Sequence, residues 1–410
     1  MYQCTKCHKK FVKYSGKCFN CDEWNSLREE VNEKTTVVIS NEEQEVLHNS
    51  ISEFQRVLKL YTKSVVILGG EPGIGKSTLM CQISHTIEGS CLYLCGEEHS
   101  QTVKSRMIRV NGDVSNKVNI VDFLFIENLE DLIVKHKPKF LILDSIHTTR
   151  STNNDSSKDI IDAMVLLSRK HNFCAILISH ITKEGIISGP KTLEHMVDAV
   201  AYIEGDRYGS TRFLRSIKNR FGPTGETGIF QMEENGMIEV KNPSALFISN
   251  RRANAYGSAV FPLYAGIRPY LLEIQALVVE SQFFNIESIG IDSKRINMII
   301  AILHKWCKVN FFKYNIFINV VGGMKVNDPG ADLAIAAALL SSLWQKPIDN
   351  NSCFFGELGL TGEIRRVNGE KIRVNEALRM GFTIYANTSI SNDKHILHMN
   401  DIVEITKILK

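Results

Sequence analysis

The stretch that most constrains this chain is Leu68–Thr78, LGGEPGIGKST. It contains a complete G-x4-G-K-[ST] loop, Gly70-Glu71-Pro72-Gly73-Ile74-Gly75-Lys76-Ser77, followed by Thr78. The apolar run SVVIL precedes it and the helical period TLMCQISHTI follows it. A strand–loop–helix context is what such a loop requires: glycines let backbone N–H groups close around phosphate, and the helix N-terminus adds positive potential. Lys76 is placed to reach the β and γ phosphates of ATP, and the Ser77 hydroxyl to ligate Mg²⁺.

A phosphate loop works only with partners beyond it. The runs CLYLCGEE, KFLILDS and CAILISH have no polar alternation, as strands of a parallel sheet covered on both faces do not. Each ends in a polar group. Asp144 is suited to hold Mg²⁺ through its water shell, Glu97 (ahead of Glu98) to orient and deprotonate the attacking water, and His180 to sense the γ-phosphate. For the glutamates and His180 an ordinary strand-end polar residue is the alternative. Lys218 and Arg220, in RSIKNRFGPTGE, form a basic turn that could either be solvated or reach a phosphate in a neighbouring subunit.

The βαβ rhythm around these strands predicts an α/β domain over residues 51–244. The first 28 residues are different. Cys4-x2-Cys7 and Cys18-x2-Cys21 are two knuckles offering four soft ligands, which predicts a zinc finger whose folding energy comes from Zn²⁺. His8 is a bystander on this reading, and Phe11, Tyr14 and Trp24 pack the small core or meet a partner. Residues 29–50 read as a linker with one short strand at 36–40. From residue 245 to 410 a second apolar pattern predicts a separate α+β core, with strands around LLEIQALVVES and NIFINVVGG and helices over Ser293–Trp306 and from Ala331.

Composition decides three further points. The N-terminus MYQCTKCHKK is polar, so no signal peptide is expected, and no run reaches the roughly 18 apolar residues of a membrane span. Ten cysteines in 410 residues without export signals point to a reducing compartment, and the expected location is the cytoplasm. Cys81, Cys91, Cys95, Cys174, Cys307 and Cys353 have no ligand spacing and read as core residues. A net charge of +3 neither demands nor excludes nucleic acid.

The parts in this order resemble the RadA (Sms) family of bacterial DNA-repair and recombination ATPases. The resemblance covers nearly the whole chain: the four-cysteine finger, GGEPGIGKSTL, YLCGEEHS, LILDSI, SHITKEG, GPKTLEHMVDAVAYIEGDR, KNRFG, and then NVVGGMKVNDPGADLAIA and FGELGLTGEIRRV of a Lon-protease-like domain. It implies a RecA-like core, a hexameric ring acting on single-stranded and branched DNA alongside RecA, and a role for Lys218 and Arg220 in coupling ATP to DNA work. The chain departs from the family at Cys95, at His99-Ser100, at Ser179 and at Gly330, none of which removes a nucleotide ligand.

Gly330 also bears on a rival activity. A Ser-Lys protease of the Lon type needs a serine in the slot after Pro329, and that slot is Gly330. Ser341 and Ser342 lie too far along the helix, and Lys371 falls near the family's base position. A proteolytically inactive scaffold is therefore expected, with Arg251-Arg252, Lys294-Arg295 and Arg365-Arg366 as candidate phosphate contacts. The leading expectation is a DNA-dependent ATPase; an ATP-switched DNA- and RecA-binding scaffold and an ATP-dependent peptidase are the rivals.

Overall fold

The computed structural model describes residues 2–7, 10–11, 16–18, 21, 23–24, 26–29, 44–151, 157–180, 192–205, 209–265, 268–390 and 393–409. Residues 1–44 make one compact unit and residues 45–410 another. The strand expected at 36–40, and His8 and Tyr14, lie outside the described residues, as does the side chain of Phe11.

In the first unit, strand Tyr2–Cys4 pairs antiparallel with Lys10–Phe11 on one side and Leu27–Glu29 on the other. The pairing brings the two cysteine knuckles together, and among the described residues the buried cluster of this unit is made of the four cysteines. Trp24 is 71% exposed, so it does not pack this core.

The second unit is built on two large sheets. Nine strands form the first: β1 Ser64–Gly70, β2 Cys91–Cys95, β3 Val118–Asp122, β4 Phe140–Asp144, β5 Cys174–His180, β6 Ala199–Glu204, β7 Thr211–Asn219, β8 Thr227–Glu233 and β9 Gly236–Glu239. Their order is β9-β8-β7-β6-β1-β5-β4-β2-β3. The six strands from β6 to β3 run parallel, and β7, β8 and β9 extend the sheet antiparallel.

Side-chain alternation explains why the parallel strands read as unbroken apolar runs. Val66 and Leu68 of β1 join one core with Leu79, Met80 and Ile83 of the helix Lys76–Thr86. Val65 and Ile67 join another with Ile133 of the helix Leu129–His136 and Ile160, Ile161 and Met164 of the helix Ser157–His171. Both faces are covered, so both sets of alternating residues must be apolar. The edge strand β3 is only partly buried, and its VNIVD sequence is accordingly mixed.

The second sheet contains β10 Ser258–Ala265, β11 Arg268–Glu280, β12 Asn285–Ile289, β13 Tyr314–Val320, β14 Ser352–Phe355, β15 Thr383–Ala386 and β16 Ile396–His398, in the order β12-β13-β11-β10-β14-β15-β16. Against it lies the helix Asp332–Trp344, with every residue from Asp332 to Ser342 buried. A helix apolar all round belongs inside a core. The helices Ser293–Cys307 and Glu370–Arg379 flank it, and Arg295 of the first forms two hydrogen bonds with the fully buried Asp332, at 2.5 and 2.6 Å. No helix among the described residues is long and apolar enough to cross a membrane.

Candidate nucleotide site and metal centre

The register of the first sheet places the expected residues at one edge. Gly70 ends β1 opposite His180 at the end of β5, and Asp144 ends β4 opposite Cys95 at the end of β2. Ligands of open parallel sheets bind outside these carboxyl ends. The loop Glu71–Gly75 leaves Gly70 and turns into the helix at Lys76. Gly75 takes φ +115°, a left-handed conformation that favours glycine, and a Cβ there would also have to displace the end of the Met232 side chain of β8. Gly75 also has no side chain to cap the helix, which leaves its first N–H groups facing the loop, as phosphate binding requires.

Lys76 is buried, at 5% exposure, and its Nζ donates to the carbonyls of Gly70 (2.9 Å) and Glu71 (3.0 Å) and to Nδ1 of His180 (3.3 Å). Burial lowers its pKa, and the charges of Glu97 and Asp144 oppose that shift. An ammonium only donates, so His180 Nδ1 is the acceptor and its proton sits on Nε2. From there it is donated to Glu97 Oε2 at 3.0 Å. Lys76, His180 and Glu97 thus form one hydrogen-bonded chain.

The choice between the two glutamates follows from their partners. Both oxygens of Glu98 accept from Arg106 Nη2, at 2.7 and 2.8 Å, so Glu98 is committed to the helix Ser100–Asn111. Glu97 is 44% exposed, and its backbone is fixed to the site because the N–H groups of Gly96 and Glu97 both donate to the Asp144 carbonyl.

Asp144 tests the fit to magnesium. Its Oδ2 accepts from the Tyr93 hydroxyl at 2.8 Å, while its Oδ1 is buried with no hydrogen-bond partner. Burial raises its pKa; the Ser77 and Tyr93 hydroxyls offset part of the rise, and Glu97 and Glu98 add to it. The Ser77 hydroxyl lies close enough to act on this carboxylate without satisfying Oδ1. An orphaned buried carboxylate oxygen beside a hydroxyl is a donor pair that a hard divalent cation with its waters would complete.

The sequence reading missed four residues here. Tyr93 and Arg106 hold Asp144 and Glu98. Arg212 of β7 is buried and donates from Nε to the Ile74 carbonyl within the loop, at 3.0 Å. His147 follows Asp144 in a short turn, with its Nε2 3.1 Å from Ser179 Oγ and its ring stacked on His180 at 5.7 Å. Its sequence neighbourhood, three residues past a strand-end aspartate, was the available signal.

Lys218 and Arg220 are not part of this cluster. β7 runs antiparallel to β6, so Lys218 pairs with Val200 at the far edge of the sheet. Val200 pairs with Ile67, three residues before Gly70, so Lys218 lies roughly 10 Å back along the strand axis from the end of β1 and two strands across from it. Lys218 Nζ donates to the carbonyls of Glu194, His195 and Val197, and burial lowers its pKa. Arg220 is 52% exposed and bonds Asp198 at 3.0 Å.

In the N-terminal unit the sulfurs of Cys4, Cys7, Cys18 and Cys21 all lie within 4.8 Å of one another, with Cys4–Cys21 and Cys7–Cys18 at 3.6 Å. A tetrahedral zinc site with bonds of about 2.3 Å spaces its sulfurs about 3.8 Å apart, so the four fit zinc.

Two of the expected phosphate contacts of the C-terminal half, Arg251 and Arg295, are engaged elsewhere in the fold. Arg251 is tied to Ser258 and the Asn350 carbonyl, Arg295 to Asp332, and Arg365 to Glu363. Arg252, Lys294 and Arg366 are exposed, and so is Arg365, whose side chain is 60% exposed beside Glu363. The register given to Lys371 also fails: it is exposed, and the cation facing Gly330 is the buried Arg373, whose Nη1 would stand 3.4 Å from a Cβ at that position. Arg373 is in turn bound to Asp328, the cap of the turn that carries Gly330. Ser341 and Ser342 accept from the N–H groups of Gly257 and Val278, at 2.9 and 3.0 Å.

A phosphate loop on a parallel sheet, with a carboxylate, a glutamate and a histidine on adjacent strand ends, defines a P-loop ATPase with a RecA-like core. Residues 33–185 match the AAA domain family, and residues 287–385 match the family of subunit ChlI of Mg-chelatase. A DNA repair protein RadA from Streptococcus pyogenes serotype M6 is 39% identical over 414 aligned residues, covering 93% of this chain and 91% of the relative. One from Rickettsia bellii is 37% identical, covering 98% and 97%. The chain belongs to the DNA repair protein RadA family. Among solved structures, a KaiC-like protein from Pyrococcus horikoshii matches 46% of this chain and 94% of its own, at 18% identity and a TM-score of 0.38, too slight a likeness to carry an argument.

Proposed function

We propose that this ATPase is DNA-dependent and acts in recombinational repair, binding single-stranded DNA and driving the branch migration of recombination intermediates with RecA. The observation that carries the hydrolytic part is the connected chain Lys76–His180–Glu97 beside the orphaned Asp144 Oδ1. A site built only to hold nucleotide needs the loop and the cation; a carboxylate wired to the strand-end histidine is the part that serves a water. Magnesium, held by Ser77 and by Asp144 through water, would neutralise charge on the β and γ phosphates. Lys76 leaves its carbonyl partners for phosphate, which releases His180 Nδ1, and Glu97 accepts the proton of the water it orients.

The DNA part rests on the family, whose curated members are named DNA repair proteins. The position of Lys218 and Arg220 at the far sheet edge supports a shared site in a ring, a hexamer on this reading. Lys218 holds the turn, and Arg220 reaches the γ-phosphate of the neighbouring subunit. In this scheme residues 1–28 are a zinc finger and 29–50 a linker. Residues 51–244 are the motor, and residues 245–410 a Lon-protease-like platform in the cytoplasm. That platform is no peptidase on this reading: Gly330 offers no nucleophile, and the side chain beside it is the guanidinium of Arg373, which donates hydrogen bonds and accepts none.

The test is displacement of a strand from forked DNA with ATP and with a non-hydrolysable analogue. Displacement with ATP alone supports the motor. Equal DNA binding with both nucleotides and no displacement would leave an ATP-switched scaffold in its place.

A further inference from the structure

The two strands that flank His180 hold it unequally. On the β1 side the parallel ladder runs to its last residue, where His180 itself pairs with Gly70. On the β4 side the ladder stops at Leu177 and Leu143. Beyond that point Ile178, Ser179 and His180 have no register partner on β4, while Asp144 pairs with Cys95 on its other side. The strand ends therefore part at the place where a magnesium carboxylate and a γ-phosphate sensor must keep a fixed spacing.

His147 bridges this opening. It sits in the turn Ile146–Thr148, whose first residue follows Ser145 in a reciprocal Ser145/Thr148 capping box. Its Nε2 is 3.1 Å from Ser179 Oγ, and Ser179 Oγ is 3.4 Å from the His180 carbonyl. With the hydroxyl proton on that carbonyl, the imidazole is the donor to Ser179, and each polar atom is used once. The His147 ring also stacks on the His180 ring, with an angle of 27° between their planes. His147 itself is exposed, while its partner Ser179 is fully buried.

We propose that His147 is a positioning residue for ATP hydrolysis: through Ser179 it braces the end of β5 against the turn after Asp144, and so keeps His180 in reach of Glu97. The proposal rests on the ATPase site described above. It closes a loop of contacts in which Glu97 is anchored to the Asp144 carbonyl by its backbone and to His180 by its side chain, while His180 is anchored to the Asp144 turn by His147. His147 itself touches neither Lys76 nor Glu97 by a hydrogen bond. Its removal should therefore spare nucleotide binding and slow the chemical step, because a displacement of about 1 Å in such a site can cost on the order of 100-fold.

The experiment measures kcat and KM for ATP on the full chain with His147→Ala, His147→Gln and Ser179→Ala, alongside wild type and Lys76→Ala. His147→Ala should lower kcat about tenfold or more with KM within about twofold. His147→Gln, whose amide can still reach Ser179, should recover most of the loss, and Ser179→Ala should reproduce it. Thermal midpoints near that of wild type mark the variants as folded. If His147→Ala does not fold, the contrast between His147→Gln and Ser179→Ala carries the test. Wild-type kcat in Ser179→Ala and in whichever His147 variants fold, or a loss confined to KM, would overturn the brace. A Lys76→Ala chain as active as wild type would instead overturn the site reading beneath it.

Discussion

Replacing Glu97 with glutamine isolates the step that separates hydrolysis from nucleotide binding. Glutamine keeps the size of the side chain and can still accept from His180 Nε2, which lies 3.0 Å away, but it cannot take a proton from water. General-base assistance is worth about 10²- to 10⁴-fold, or about 3–5 kcal/mol of barrier. The paired control is Glu98→Gln. Glu98 is bound on both oxygens by Arg106, with side-chain exposures of 38% and 18%. It should lose about 1 kcal/mol of stability or less, since the pair is partly screened, and keep kcat within about threefold. The assay is steady-state phosphate release at saturating ATP and magnesium, with nucleotide affinity and thermal midpoint measured on the same preparations. Glu97→Gln should bind ATP as wild type does and hydrolyse it at least 100-fold more slowly. A Glu98→Gln chain that loses the larger share of kcat would refute the assignment and the argument from partners on which it stands.

Other outcomes follow from the same geometry. If Arg220 serves the neighbouring subunit's site, Lys76→Ala and Arg220→Ala chains, each inactive alone, should recover part of the hydrolysis when mixed; no recovery under conditions of subunit exchange contradicts a shared site. Cys18→Ser should release zinc, read by metal analysis, while hydrolysis by the rest of the chain persists, because residues 45–410 are a separate compact unit. Arg295→Met should destabilise the C-terminal core by about 3 kcal/mol at pH 7, at the low end for a broken buried pair because Arg295 is 26% exposed, while Asp332 is fully buried. Burial already raises the Asp332 pKa in the folded chain. Such a shift favours folding below the unfolded value of about 3.9 and loses that contribution as pH rises through the folded value. Without Arg295 the folded value rises further, so urea denaturation should show a smaller gap between variant and wild type near pH 4 than at pH 7.

Much of this was legible in the sequence where local chemistry alone decides. SVVIL, CLYLC, FLILD and CAILISH are strands because a sheet covered on both faces needs apolar residues at every position, and each forms where the pattern put it. The four cysteines converge because two knuckles on one short sheet can do little else. Partnership across the fold was not legible. Arg251 and Arg295 look like surface cations beside Arg252 and Lys294, and only tertiary structure shows that Arg251 is tied to Ser258 and Asn350 and Arg295 to Asp332. Lys371 and Arg373 are two residues apart on one helix, and helical rotation exposes the first and buries the second. His147 stands three residues past a strand-end aspartate, which marks it as near the site, but its partner Ser179 is 32 residues away in sequence, so its contact was not legible there.

The most direct measurement is the rate of ATP hydrolysis with and without single-stranded DNA, for wild type and for Lys76→Ala. The account predicts strong stimulation by DNA in the wild type and its disappearance in the variant. Hydrolysis that depends on Lys76 but is indifferent to DNA would contradict the central claim that this ATPase is coupled to DNA.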